Sequence, residues 1–298
     1  MSTDGEVWAG LREVDIPPFP LYRRGKVRDT FDLGDRLLLV ATDRLSAFDC
    51  ILPDLIPGRG RVLTEMSRFW FGVTGGIIPN HLLQDDLALI PEELRTPLEG
   101  RVMFCSKAER IDIECVVRGR IAGSGWEEYL RQGTLAGEPL PADLRFGDEL
   151  PGLRFTPATK NDIGHDQNIS RRELAEEVGD ALAEELEEVS LALFQTASEI
   201  CRSRGIILVD TKFEFGWVAG RLTLIDEALT PDSSRMWLSG DPMSESSSQG
   251  FDKQLVRDHL LRTGWDRQPP APRLPQELIS EVQRRYQEVS RRITQSGS

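Results

Sequence analysis

Cysteine is scarce: the 298-residue chain has four, Cys50, Cys105, Cys115 and Cys201. None sits in a CxxC pair or at a zinc spacing, which excludes a disulfide scaffold and a structural zinc site. Apolar sequence around Cys105 and Cys115 marks buried thiols and hence a reducing compartment. Histidine is scarcer still, and His81 and His259 stand in no metal or acid–base pattern, so both are expected to be structural or surface residues. No apolar stretch approaches the roughly 20 residues that span a bilayer. The start, MSTDGEVWAG, is polar, so no signal peptide is expected and the expected location is the cytoplasm. Basic charge is in deficit: 36 Lys and Arg against 49 Asp and Glu leave a net charge of −13. That argues against an extended nucleic-acid or anionic-membrane surface, while leaving room for a local basic pocket. There is no Walker A loop, no GxGxxG fingerprint, no HRD-like segment and no internal repeat. Hydrophobic content of 39% and charged content of 29% are those of an ordinary globular chain. Its length suffices for one large domain or two lobes.

The most informative segment present runs from Val209 to Trp237. Asp210, Lys212 and Glu214 alternate with Thr211, Phe213 and Phe215, so the spacing predicts a strand with one polar and one aromatic face. Ala219, Gly220 and Arg221 are the expected turn, and Leu222 to Glu227 the returning strand. A three-residue loop sets Glu214 opposite Asp226; a change of one residue in the loop breaks that register. Two adjacent carboxylates repel unless a cation lies between them, and hard oxygen ligands beside a lysine suit Mg²⁺ carrying a polyphosphate. The alternative is a solvated hairpin of mixed charge. Acid, lysine and acid on one face, backed by aromatics, favour a site.

Earlier in the chain, Leu21–Phe31 and Arg36–Ala41 form an expected hairpin whose first strand contains Arg24-Gly25-Lys26. A glycine there lets backbone approach a ligand, and Lys26 can reach phosphate oxygens. Thr64–Phe71 is expected to be a short helix. Phe104–Arg120 is expected to be a second strand pair ending in Val117-Arg118-Gly119-Arg120, followed by Gly123-Ser124-Gly125 and a helix from Trp126 to Gln132. Strand, glycine-rich turn and helix start make an anion site from backbone N–H groups; the same glycines also suit a plain tight turn. The loop Lys160–Ser170 gathers Lys160, Asp162, His165 and Asp166, a pattern that is ordinarily solvated surface. Ser170 and Glu173 form a capping box for a long helix whose apolar residues recur every three or four positions. Gly179 is placed to interrupt that helix and Gly205 to end it. Ser239–Gly250 has the composition of a flexible segment. Phe251–Arg262 and Pro275–Ile293 are expected helices.

In order along the chain, YRRGKVRDTF, ATDRLSAFD, IECVVRGRIAGSGWEEY, TPATKNDIGHDQNIS, LVDTKFEFG, DEALTPDSSRMW and SQGFDKQLVRDHL resemble the SAICAR synthetase family. The resemblance spans residues 21 to 262. Gln249-Gly250 precede Phe251 where serine is commoner in the family. The resemblance implies an α+β fold with two lobes, a smaller, mainly antiparallel β lobe and a larger α/β lobe, with an ATP cleft between them. The division expected is residues 1–116 for the β-rich, nucleotide-binding lobe and 117–298 for the substrate and metal lobe. It also implies an ATP-dependent ligase of purine biosynthesis. The carboxylate of the ribonucleotide CAIR would be joined to the amine of L-aspartate, with ADP and phosphate released and Mg²⁺ required.

Carried over by position, the resemblance gives Glu214 and Asp226 to Mg²⁺ and ATP, and Lys26 with Gly25 to the ATP phosphates. Lys212 becomes an active-site lysine and Asp210 a pocket residue of the same strand, while Lys160 and Asp166 lie near the reacting centre. Arg118, Ser124 and Arg235 go to the ribonucleotide, and Ser46 helps hold aspartate. The partners implied are small molecules only, with oligomeric state open. Two alternatives stand beside this: a small-molecule kinase with a similar ATP cleft, and a non-catalytic nucleotide-binding module. The kinase normally needs a catalytic-loop aspartate in an HRD-like segment, and the module would be expected to have lost Lys212, Glu214 or Asp226.

Overall fold

The computed structural model describes residues 10–160, 167–240, 250–251 and 253–295. They fall into two units, one within Met1–Arg68, Leu82–Lys107 and Lys253–Ser298, the other within Phe69–His81 and Ala108–Asp252. In the first unit, β1 (Leu21–Arg24), β2 (Arg28–Asp32) and β3 (Arg36–Ala41) form an antiparallel meander, and β4 (Arg44–Ala47) pairs with β5 (Cys50–Leu55) as a separate hairpin. Helix α1 (Arg59–Thr74) follows, then α2 (Glu92–Leu98) and β6 (Val102–Ser106), which pairs with β3. Phe31, Leu38, Val40, Val102 and Phe104 meet in this unit's core with Ile16 and Leu98.

Two expectations for this region need correction. The stretch 21–31 is not one strand: Arg24 pairs with Asp29 across a tight turn that holds Gly25 and Lys26. The Gly25 N–H donates to the Arg28 carbonyl at 2.7 Å, and a Cβ on Gly25 would lie 3.0 Å from that oxygen. The absent side chain is what admits the reversal, without any of the usual Asn-Gly turn signal. Likewise, the strands within 104–120 are not partners. The chain leaves the first unit between β6 and the next strand, so the two lie in different sheets. The helix expected at 64–71 is longer, running from Arg59 to Thr74 and burying Val62 and Leu63 ahead of the expected start.

The second unit begins with β7 (Glu109–Arg120) and α3 (Gly123–Gln132), then the short β8 (Thr134–Leu135) and β9 (Glu138–Pro139). Next come β10 (Glu149–Phe155), β11 (Ala158–Thr159), β12 (Gln167–Asn168), α4 (Arg171–Val178) and α5 (Asp180–Ser203). Strands β13 (Ile206–Val218), β14 (Arg221–Ile225) and β15 (Ser234–Leu238) complete it. All join one antiparallel sheet except the β8–β9 pair; its spine is β12-β11-β7-β13-β14, with β10 also on β7 and β15 also on β13. Ser170 caps α4 in a capping box with Glu173, and Gly179 separates α4 from α5, as the sequence predicts.

Helix α5 buries Leu186, Leu193, Phe194 and Ala197 and packs along β13 and β7. It covers the sheet face that carries Phe213 and Cys115, with the buried Ser190 of α5 beside the Cys115 thiol. The opposite face of β13 is therefore free to be polar. The chain returns to the first unit with α6 (Gln254–Arg262) and α7 (Gln276–Thr294), the latter burying Ile279, Val282, Tyr286, Val289 and Ile293. The boundary expected at 116/117 falls inside β7, and the last helices belong with the N-terminal strands. Sequence order misleads here, because α7 buries its face against α1, where Tyr286 lies under the Arg59 guanidinium and Ser290 bonds Glu65. Among the described residues no helix is long and apolar enough to cross a membrane.

Candidate active site

Strand β13 lies between β7 and two shorter strands, and its pairing with β7 decides the site. The register sets Asp210 opposite Arg118, Lys212 opposite Val116 and Glu214 opposite Glu114. Alternation puts these six side chains on the face away from α5. The result is a polar ladder that is buried rather than solvated: Asp210 and Glu214 are each 5% exposed and Arg118 4%.

At one end lie the acids and lysines. Glu114 and Glu214 face each other, an arrangement that repels without cations. Two ammonium groups supply them: Lys212 binds Glu114 and lies 3.3 Å from Glu214, and Lys160, just past β11, binds the other oxygen of Glu214. The register expected for the hairpin is corrected here. The loop has two residues, with Val218 opposite Arg221, so Glu214 faces Ile225 rather than Asp226. Asp226 comes one residue past β14 with a left-handed backbone (φ 65°), and its carbonyl lies 3.2 Å from His81 Nε2. His81 is thus a structural support of the Asp226 bend, consistent with the role expected from sequence. Asp226 still reaches the cluster electrostatically, since it is among the charges that act on Lys212.

Burial alone would push the Lys212 ammonium towards neutrality, but Glu214, Glu114 and Asp226 outweigh it and hold its pKa above the ordinary lysine range. A raised base pKa means that this pairing is complete below the unfolded lysine value of 10.5 and is lost only as pH rises through the still higher folded value. Lys212 is therefore a fixed cation at neutral pH and not a proton acceptor. Nitrogen chemical shifts of its side chain are expected to stay flat from about pH 6 to about pH 9, well below lysine's range; a titration step in that window would remove this reading. Cys115, under the same ladder, is no nucleophile, because burial raises its thiol pKa far above the usual value.

At the other end are the arginines. Asp210 is shared by Arg118, at 3.2 Å, and by Arg235 of β15, which also places its backbone N–H 3.3 Å from the same carboxylate. Arg118 also donates from Nε to Thr156 at 3.0 Å and from its second terminal nitrogen to Ser124 at 3.1 Å. Burial weakens its proton affinity, with Asp210 opposing. Two guanidinium groups meet at Asp210 beside the first turn of α3, a gathering of cations that suits an anion. Gly123 opens that turn with φ 53°, and a Cβ there would lie 2.1 Å from an Arg235 guanidinium nitrogen. Because the obstructed group is the end of a flexible side chain, Gly123→Ala is expected to fold, with a loss of about 1 kcal/mol from the positive φ, while displacing Arg235. Its expected signature is about a tenfold weaker binding of inorganic phosphate at this end of the ladder, measured by calorimetry.

Of the residues expected from sequence, the second unit gathers Lys160, Lys212, Glu214 and Asp226 at one end of the ladder and Asp210, Arg118, Ser124 and Arg235 at the other. Gly25, Lys26 and Ser46 belong to the first unit, where the Lys26 ammonium pairs with Asp49 at the tip of the β4–β5 hairpin. Asp166 lies outside the described residues. Glu114 carries no signal in its own segment; only the non-local pairing of β7 with β13 singles it out.

Glu114 and Glu214 lie opposite each other on β7 and β13, and the charge of Asp226 acts on the same lysine, so hard oxygen donors of the kind a divalent cation takes are drawn together here. Among the described residues no three acid, histidine or cysteine side chains converge as a complete metal cage. A donor set of two carboxylates suits Mg²⁺, which keeps waters and takes the rest of its ligands from phosphates.

A family model described as SAICAR synthetase matches residues 21–272. The chain is 46% identical over 289 residues to a phosphoribosylaminoimidazole-succinocarboxamide synthase of Syntrophobacter fumaroxidans, covering 96% of each. It is 49% identical to an enzyme of the same name from Desulfosudis oleivorans, covering 92% of this chain and 95% of that one. It resembles the solved structure of the SAICAR synthase from Saccharomyces cerevisiae complexed with SAICAR, with a TM-score of 0.86 and 35% identity over 97% of this chain and 99% of that one.

Proposed function

The chain belongs to the SAICAR synthetase family, and on that premise we infer that it joins the carboxylate of CAIR to the amine of L-aspartate, splitting ATP to ADP and phosphate. A free carboxylate is a poor acyl donor because oxide is a poor leaving group. Transfer of the terminal phosphoryl group of ATP to a carboxylate oxygen gives an acyl phosphate and ADP. The aspartate amine then attacks the acyl carbon, the C–O bond to phosphate breaks, an amine proton is lost, and SAICAR and inorganic phosphate are formed.

The observation that carries this reading is the two-ended ladder on β13. Its arginine end and its acid end are four residues apart, about 13 Å along a strand. A ribonucleotide laid along the strand has its phosphate at one end and its reacting carboxylate near the other. Arg118, Arg235 and Ser124 bind the phosphate, with Asp210 holding the two guanidinium groups in place. Glu214 and Asp226 would hold Mg²⁺, which when bound offsets the charge of the ATP phosphates. Lys212 and Lys160 place their side-chain nitrogens where negative charge develops on the transferring group, a stabilisation that is strongest in a buried site. Gly25 and Lys26 are the candidate ATP-phosphate contacts of the first unit, and Ser46 and Asp166 keep the roles the family resemblance implies. Four free, buried thiols suit a reducing cytoplasm.

The test is ADP release measured with each of ATP, CAIR and L-aspartate omitted in turn. Sustained ADP formation is expected only with all three present. A phosphorylated product accumulating without aspartate would instead identify a kinase.

A further inference from the structure

Deep in the first unit lies an arginine that no step above uses. Arg44 opens β4, is 2% exposed, and has five N–H donors to satisfy. Its Nε donates to the Lys26 carbonyl at 3.1 Å, and one terminal nitrogen donates to the Gly25 carbonyl at 2.9 Å and to Asp29 at 2.7 Å. The other terminal nitrogen bonds the Arg12 carbonyl and lies 3.5 Å from the second Asp29 oxygen. Every donor is thereby assigned, and two of them hold successive carbonyls of the β1–β2 turn. The third carbonyl of that turn, on Val27, accepts from the Thr42 hydroxyl at 2.7 Å and from the Thr42 N–H at 3.1 Å. Arg44 is itself anchored, since its carbonyl accepts from Arg59 at 2.7 Å, and Arg59 is fully buried.

We propose that Arg44, with Thr42, is a positioning residue for ATP: it clasps the carbonyls of Gly25, Lys26 and Val27 and so fixes the turn from which Lys26 reaches the nucleotide. The proposal rests on Lys26 contacting ATP. In a trans peptide the C=O and N–H point in opposite directions. Drawing the Gly25 and Lys26 carbonyls inward therefore aims the following N–H groups, those of Lys26 and Val27, outward. Lys26 itself projects to solvent, with its side chain 53% exposed, so the clasp and the ammonium occupy opposite sides of the turn. A lysine at 44 keeps the charge beside Asp29 but has no planar fork, so it cannot hold two carbonyls and a carboxylate together.

The experiment compares Lys26→Gln, Arg44→Lys and Thr42→Val in the full-length enzyme by steady-state kinetics, with circular dichroism to score folding. Arg44→Lys is expected to raise KM for ATP about tenfold while KM for CAIR and for aspartate stays within about twofold, and Thr42→Val to raise KM for ATP about threefold. A purely structural role would lower the active fraction, and with it kcat, without moving KM for ATP. If Arg44→Lys does not fold, Thr42→Val decides the matter by the same split. An unchanged KM for ATP in folded Arg44→Lys, or in Thr42→Val where Arg44→Lys fails to fold, alongside a raised one in Lys26→Gln, overturns the clasp alone. An unchanged value in Lys26→Gln overturns both the clasp and the assignment of Lys26.

Discussion

Glu214→Gln lowers kcat/KM for the ligase reaction by two to three orders of magnitude, the expected cost of removing one preorganised charge from a buried site of phosphoryl transfer, about 3–4 kcal/mol. The substitution keeps the shape of the side chain, so packing against Ile225 and Glu114 is retained. What changes is charge. Glu214 meets Lys160 with one oxygen and approaches Lys212 to 3.3 Å with the other. Without its carboxylate the cluster loses a ligand for a divalent ion and the partner that holds Lys160 in place. Lys212 keeps Glu114, so the ladder does not collapse. The expected result is therefore a folded protein whose loss lies in turnover with Mg-ATP. Steady-state kinetics at saturating CAIR and aspartate measures it, and wild-type turnover in this variant would remove Glu214 from the site.

Asp210→Ala is expected to act on the fold first. Arg118 and Arg235 come from strands on opposite sides of β13 and share this one carboxylate. Removing it leaves Arg118, 4% exposed, without its counter-charge and brings two like charges together. Breaking a buried ion pair from one side costs about 3–5 kcal/mol, visible as a lower midpoint in urea unfolding. The liberated arginines still seek an anion, so phosphate or the ribonucleotide should restore part of the lost stability through binding to the folded state. A midpoint unchanged from the parent would mean that the arginines are satisfied by other partners, and the anion end of the ladder would have to be reassigned.

Much of this arrangement is legible along single segments. Alternation in VDTKFEFG sets Asp210, Lys212 and Glu214 on one face, and the apolar repeat after Ser170 gives the helix that covers the other. What is not legible is pairing between distant segments. Glu114 becomes a site residue only because β7 lies antiparallel to β13 with Glu114 opposite Glu214, a match of residues 100 positions apart in the chain. The β13–β14 loop is one residue shorter than its sequence suggests, because Arg221 looks like turn and pairs as strand; that shift takes Asp226 off the ladder and into a bend supported by His81. Gly25 and Lys26 fall in a turn rather than a strand for a similar reason. Gly25 admits the turn, but Arg44 and Thr42, some twenty residues downstream, hold its carbonyls. The assembly of the first unit from distant segments, with α7 against α1, is likewise a matter of tertiary packing that no local pattern records.

The central claim is that the acid–lysine end of the β13 ladder is where the divalent ion and the ATP phosphates meet. Anomalous diffraction from crystals grown with manganese and ATP tests it most directly. The account predicts a manganese peak coordinated by Glu214 and Asp226, with Lys212 and Lys160 beside it; a single strong peak bound elsewhere, with Glu214 still closed on Lys160 and Lys212, would contradict it.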